Sequence, residues 1–168
     1  MASLIDELIT TLEQEKEWYI KLTNISQEKT DVIIKGDITA LNELLINEQE
    51  MVSIVIGLEK TRETIIKDIA IVTNLNDDEL TISKLANLLS NQKKENDKLI
   101  ALRNDIKDAV GNLKVINDRN KILIKESLDY IDFTMNAIQS SSSLPNSNYQ
   151  SKGNIYEAEG KSFFDAKQ

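Results

Sequence analysis

The chain has 168 residues, a net charge of −8 and a pI near 4.7, room for one domain or one elongated bundle. It has no Cys, no His, one Pro and five Gly, which removes disulfide frameworks, thiol nucleophiles, Ser–His–Asp arrangements and nearly all zinc chemistry, and argues against a turn-rich sheet fold. The acidic balance repels nucleic acid and anionic lipid at long range.

The first periodic segment covers about residues 4–34. Ser3 is the expected N-cap, with Asp6 three residues on. Leu4, Leu8, Leu12, Tyr19, Leu22, Ile25 and Ile33 recur at helical spacing. Gly36 is the expected stop and Asp37 the cap of a second helix, which turns back antiparallel to the first. That second helix covers about 38–74, with Leu41, Leu44, Leu45, Met51, Val52, Val55, Leu58, Ile65, Ile66, Ile69 and Val72 as its stripe. Glu48 and Arg62 interrupt the stripe. Gly57, in mid-helix, costs about 1 kcal/mol against Ala; it marks either close helix packing or tolerated drift. Asn76-Asp77-Asp78-Glu79 reads as a polar turn.

The third helix is expected as one piece over about 82–139, capped by Thr81. Leu85, Leu88, Leu99, Leu102, Ile106, Ala109, Leu113 and Ile116 hold a heptad, with Gln92, Glu95 and Asn120 polar in that register. From Ile124 the stripe shifts to Leu128, Ile131, Met135 and Ile138, a stutter-like change of face. Residues 140–148 read as a Ser/Asn-rich linker, and 149–168 as a flexible tail holding Tyr156, Phe163 and Phe164.

At 1.5 Å per residue the three helices span roughly 46, 55 and 87 Å. The first two cover the third only to about Asn117 or Asn120. The remaining stretch nonetheless carries Ile122, Leu123, Ile124, Leu128, Tyr130, Ile131, Phe133, Met135 and Ile138. A solvated helix is not that apolar, and contiguous apolar surface of this kind marks a partner site. The bland alternatives are a helix that breaks and folds back, or misjudged boundaries.

Chemistry-bearing motifs are few. The carboxylates read as solvated faces and turns, Asp77-Asp78-Glu79 lacks the ligand spacing of a calcium loop, and no glycine-rich phosphate loop follows a strand. The expectation is no enzyme, no catalytic residues, no cofactor and no metal. Glu15 and Glu48 lie in the stripes, where a buried carboxylate needs a partner; Lys29 and Arg62 are the candidates, unless both acids reach water at the stripe edge. The N-terminus, Met1-Ala2-Ser3-Leu4-Ile5, lacks the basic and apolar regions of a secretory signal, and no apolar run approaches the ~20 residues of a membrane span. A cytoplasmic location with no membrane insertion and no nucleic-acid partner is expected.

Several stretches together carry a family resemblance. They are Glu15, Tyr19, Leu22, Lys29, Ile33 and Gly36-Asp37; Leu41, Leu44, Glu48, Leu58-Glu59 and Arg62; Asn120, Leu123, Ile124, Ser127 and Leu128; and in the tail Tyr156, Gly160 and Phe164-Asp165-Ala166-Lys167. In this order and spacing the chain resembles the FlgN-type flagellar export chaperones over nearly its whole length. The resemblance implies a cytoplasmic, non-enzymatic chaperone of flagellar type III export. Its partners would be hook-associated (hook–filament junction) proteins of the FlgK and FlgL kind and the cytoplasmic domain of the export gate. It places client binding toward the end of the third helix, on Leu123, Ile124, Leu128, Ile131, Met135 and Ile138, and gate docking on Tyr156 and Gly160. The tail aromatics either engage that second partner or cover the apolar helix end in the free protein. Another reading is a structural coiled-coil homodimer or scaffold without a client, its helix ends pairing with a second copy. A weak homodimer is left open in either case.

Overall fold

The computed structural model describes residues 2–75, 80–89 and 92–142 of the chain, all of them in helices or the short connections between helices. The helices are α1 (Ala2–Lys35), α2 (Ile38–Thr73), α3 (Ile82–Leu88) and α4 (Lys93–Ser142). The chain divides into two compact units, Met1–Ile124 and Lys125–Gln168. The described part of the second is the end of α4.

α1 begins at Ala2, so Ser3 lies inside its first turn and is not the expected cap. Burial of Ile5, Leu8 and Ile9 holds this end against the core instead. The stop at Gly36 is as expected. Gly36 sits at φ +68°, its N–H donates to the Ile33 carbonyl at 3.1 Å, and the Asp37 N–H donates to Val32 at 3.2 Å. Asp37 then caps α2, its carboxylate accepting from the Ala40 N–H at 3.0 Å. α2 closes on Asn74 in the left-handed region, with the Leu75 N–H reaching back to the Ala70 carbonyl at 3.0 Å.

The expected single third helix is two helices. Thr81 caps α3 as expected, its hydroxyl oxygen accepting from the Lys84 N–H at 3.2 Å. The helix stops after Leu88. An unbroken helix would hold Leu85 about 21 Å from Leu99. With the break, Leu80, Leu85, Ala86 and Leu89 join Leu99, Leu102 and Ile106 in one core cluster with Ile5, Leu8, Ile9, Leu12, Ile65, Ile69 and Ala70. The Asn96 side-chain amide donates to the Ala86 carbonyl at 2.7 Å and fastens the corner. Leu88, expected in the stripe, is exposed. At the other end α4 continues through Ser140–Ser142, where a linker was expected, and the Ser140 hydroxyl donates to the Ala137 carbonyl at 3.0 Å. The polar turn 76–79, the remaining linker 143–148 and the tail 149–168 lie outside the described residues.

Within the first unit, contacts run Glu15–Arg62, Tyr19–Glu59 and Lys29–Glu48 between α1 and α2, so these two are antiparallel. They run Lys16–Asp105, Ser26–Asn117 and Thr30–Asn120 between α1 and α4, so α4 is parallel to α1. The heptad holds in α4: Leu99, Leu102 and Ile106 are buried, Ala109, Leu113 and Ile116 half-buried, and Asn120 buried. In α2, Val55, Ile65 and Ile69 are buried as expected, whereas Leu45, Val52 and Val72 of the expected stripe are exposed.

A Cβ added at Gly57 meets nothing within 4 Å, so this glycine is tolerated drift and not a packing requirement. Two opposite outcomes are expected in thermal unfolding. Gly57→Ala raises stability by about 1 kcal/mol through helix propensity alone. Gly36→Ala lowers it by about 1–2 kcal/mol, because the left-handed backbone and not the surroundings penalises the methyl group.

Candidate functional site

Two features stand apart from ordinary packing: a ladder of polar contacts through the first unit, and the apolar surface of the end of α4.

The ladder runs down α1. Glu15 is fully buried and accepts from Arg62 Nη1 at 2.8 Å, while its Oε1 has no hydrogen-bond partner. The Tyr19 hydroxyl donates to Glu59 Oε1 at 2.6 Å. Lys29 donates to both oxygens of Glu48, at 2.6 and 2.7 Å, and the Ser26 hydroxyl lies 3.1 Å from Asn117 Oδ1. The Thr30 hydroxyl donates to Asn120 Oδ1 at 2.6 Å, and Asn120 Nδ2 donates to the Ser26 carbonyl at 2.8 Å. Lys29 and Arg62 are thus the partners of the two mid-stripe glutamates, each taking one. Lys16–Asp105 and Lys98–Glu13, at 2.6 and 2.8 Å, are exposed pairs that contribute little.

Burial pushes the Glu15 carboxyl above its ordinary 4.5; Arg62 opposes this and the nearby Glu59 adds to it. The Tyr19 hydroxyl is also pushed up, by burial first and then by its bond to Glu59. These groups join helices; they do not converge on a cavity. Among the described residues no group of three or more acidic side chains is placed to hold a metal ion.

The apolar surface is built from helical spacing. Leu128, Ile131, Met135 and Ile138 follow at steps of three and four and share one stripe of α4. They are exposed, at 56, 53, 50 and 56%. Ile124 precedes Leu128 by one such step and is also exposed; Leu123 is half-buried. Tyr130, Phe133 and Ala137 form a second stripe that the expected site residues did not include. Tyr130 and Phe133 are the more exposed, at 71 and 70%. Their three- and four-residue steps are the signal that could have found them. The remaining arc carries Lys125, Asp129 and Asp132, while Glu126 stands in line with Tyr130 and Phe133. Apolar side chains therefore face two sides of the helix between Leu128 and Ile138, with Thr134 between them on one side and Asp129, Asp132 and Asn136 on the other. Tyr156 and Gly160 lie outside the described residues.

The family model described as FlgN protein matches residues 1–157. The chain belongs to the FlgN family. Membership brings a role in flagellar export as a chaperone, in a family not known for enzymatic activity. The match includes Tyr156 and ends before Gly160 and Phe164-Asp165-Ala166-Lys167. No curated protein and no solved structure matches this FlgN-family chain. Among its described residues no helix is long and apolar enough to cross a membrane.

The buried glutamate predicts a pH dependence of stability. A carboxyl whose folded pKa is raised contributes stability below its unfolded pKa and loses it as pH rises through the folded pKa. The difference in unfolding free energy, this chain minus its Glu15→Gln variant, is therefore expected to fall as pH rises from 4.5 towards neutrality. Urea titrations at several pH values measure it. A difference independent of pH would show that Glu15 is ionised in the fold without penalty.

Proposed function

We propose that this FlgN-family chain is a cytoplasmic export chaperone whose clients are the hook-associated, hook–filament junction proteins of the FlgK and FlgL kind. The antiparallel bundle of α1, α2 and the first part of α4 serves as its scaffold. Clients dock on α4 through Leu123, Ile124, Leu128, Ile131, Met135 and Ile138. Tyr156 and Gly160 then engage the cytoplasmic domain of the export gate.

The observation that carries the reading is the exposed apolar stripe from Leu128 to Ile138. Leaving such side chains in water forgoes the stabilisation that burial gives, so a partner gains by covering them. A client segment that is helical and amphipathic can lie along the stripe with anchors at matching steps. Met135 lends the surface adaptability, which suits more than one client. A second contact through the tail would raise the effective concentration of the loaded chaperone at the gate. The second stripe, Tyr130 and Phe133, supports a client that covers α4 from more than one side.

Calorimetric titration with C-terminal segments of the hook-associated proteins tests this. Ile124→Asp with Ile131→Asp is expected to weaken binding by at least about 100-fold, given the ~1.5–3 kcal/mol that burying each isoleucine contributes, with helicity unchanged. Tyr130→Ala with Phe133→Ala reports whether the second stripe takes part. No binding of any segment, alongside a dimer that the double aspartate variant dissociates, would instead make this surface a self-pairing seam of a structural coiled coil.

A further inference from the structure

α4 is held to the rest of the first unit unevenly along its length. Leu99, Leu102 and Ile106 sit in the core cluster with residues of α1, α2 and α3. Beyond Ile106, Asn120 is the one buried side chain among the described residues of α4; Ala109, Leu113 and Ile116 are half-buried. The ion pairs that join α4 to α1, Lys98–Glu13 and Lys16–Asp105, also come before that point. Directly after it a solvent-open groove separates the two helices, lined by Ile20, Thr23 and Asn24 of α1 and by Asp108, Ala109 and Asn112 of α4.

Past the groove, α4 meets α1 through neutral hydrogen bonds. The Ser26 hydroxyl lies against Asn117, and Asn120 bonds to the Thr30 hydroxyl and the Ser26 carbonyl. Water can replace each of these bonds, and the half-buried apolar side chains beside them have little further surface to expose. α2 is tied to the same stretch of α1 more firmly. Lys29 donates to both oxygens of Glu48, a charge-assisted pair largely shielded from solvent. The tight turn at Gly36-Asp37 also joins these two helices. The weakest seam of the bundle therefore lies between the α1–α2 hairpin and α4 beyond Ile106.

We propose that residues 109–120 of α4 are a hinged arm, which parts from the α1–α2 hairpin while the core cluster through Ile106 stays closed. Local opening draws on segments with few buried apolar contacts, and this is such a segment. Parting uncovers Ser26 and Thr30 on the hairpin and Ala109, Leu113 and Ile116 on the arm. The parted arm has lost the packing that sustains it, so its backbone hydrogen bonds fray. The bundle thereby has two states, closed and half-open, that share one core. The proposal is independent of client binding, because none of residues 109–120 is among the proposed client contacts.

Amide hydrogen exchange of the full chain, read by mass spectrometry, tests it. Residues 109–120 are expected to exchange at least about 100-fold faster than residues 97–106 of the same helix and residues 20–33 of α1. Thr30→Val keeps the shape of the side chain and removes its bond to Asn120. It is expected to speed exchange of 109–120 at least about threefold further and to leave 97–106 unchanged. The chain has no cysteine, so a single engineered thiol reports the uncovering separately. Ser26 and Ala70 are both buried, at 0 and 1% exposure, and Ala70 belongs to the core cluster. The Ser26→Cys thiol is expected to be alkylated at least about 100-fold faster than the Ala70→Cys thiol. Exchange of 109–120 no faster than that of 97–106 overturns the proposal. So does equal exchange across 109–120 and 20–33, because the hairpin then comes apart with the arm, or equal alkylation of the two thiols.

Discussion

The polar ladder along α1 is the constraint on which the arrangement of the three long helices rests. Apolar contact is non-directional, and a heptad seam can slide by seven residues with modest loss. The ladder cannot. Moving α2 against α1 would strip Arg62 from Glu15 and Lys29 from Glu48. Moving α4 would strip Asn120 from Thr30 and the Ser26 carbonyl. A buried charge left without its partner costs about 3–5 kcal/mol. Three helices of similar amphipathic character therefore have one register, set by a handful of residues that contribute little hydrophobic energy.

This division of labour suits a chaperone of flagellar export. The apolar cluster at one end of the first unit, around Leu8, Leu12, Ile69 and Leu99, gives cohesion. Toward the other end of α1 the contacts turn polar, at Ser26, Lys29 and Thr30. The large apolar side chains of α4 between Leu128 and Ile138 take no part in that cluster and remain exposed.

Much of this was legible in the residues, for reasons that differ from place to place. The Gly36-Asp37 turn and the Thr81 cap depend on local backbone chemistry, which a sequence displays directly. The pairing of Glu15 and Glu48 with Arg62 and Lys29 follows from the rule that buried charges need opposite partners; which cation took which acid did not. The heptad from Leu99 to Asn120 reads at once from its alternating steps of three and four. The corner between α3 and α4 was not legible, because Leu85 and Leu99 stand fourteen residues apart and keep their phase across it. Only distant Ile5 and Leu8, which gather Leu85 and Leu89 to the same cluster as Leu99, decide that the chain turns there. Leu45 and Val52 failed as core residues because the apolar arc of α2 is wider than the bundle covers. In α4 the second stripe, Tyr130 and Phe133, was hidden behind the stronger first one.

The tightness of the turn at Gly36-Asp37 also orders events in time. Closing a loop of two residues costs little chain entropy, whereas bringing α4 to α1 closes a loop of roughly ninety. The α1–α2 hairpin is thus the assembly with the cheapest encounter, and during synthesis it leaves the ribosome before α4 does. At that stage Glu15 already has Arg62 and Lys29 already has Glu48. Ser26 and Thr30 wait for Asn117 and Asn120. The nascent hairpin is in this sense a template with two of its polar sockets open, and α4 is read into place by the residues that fill them.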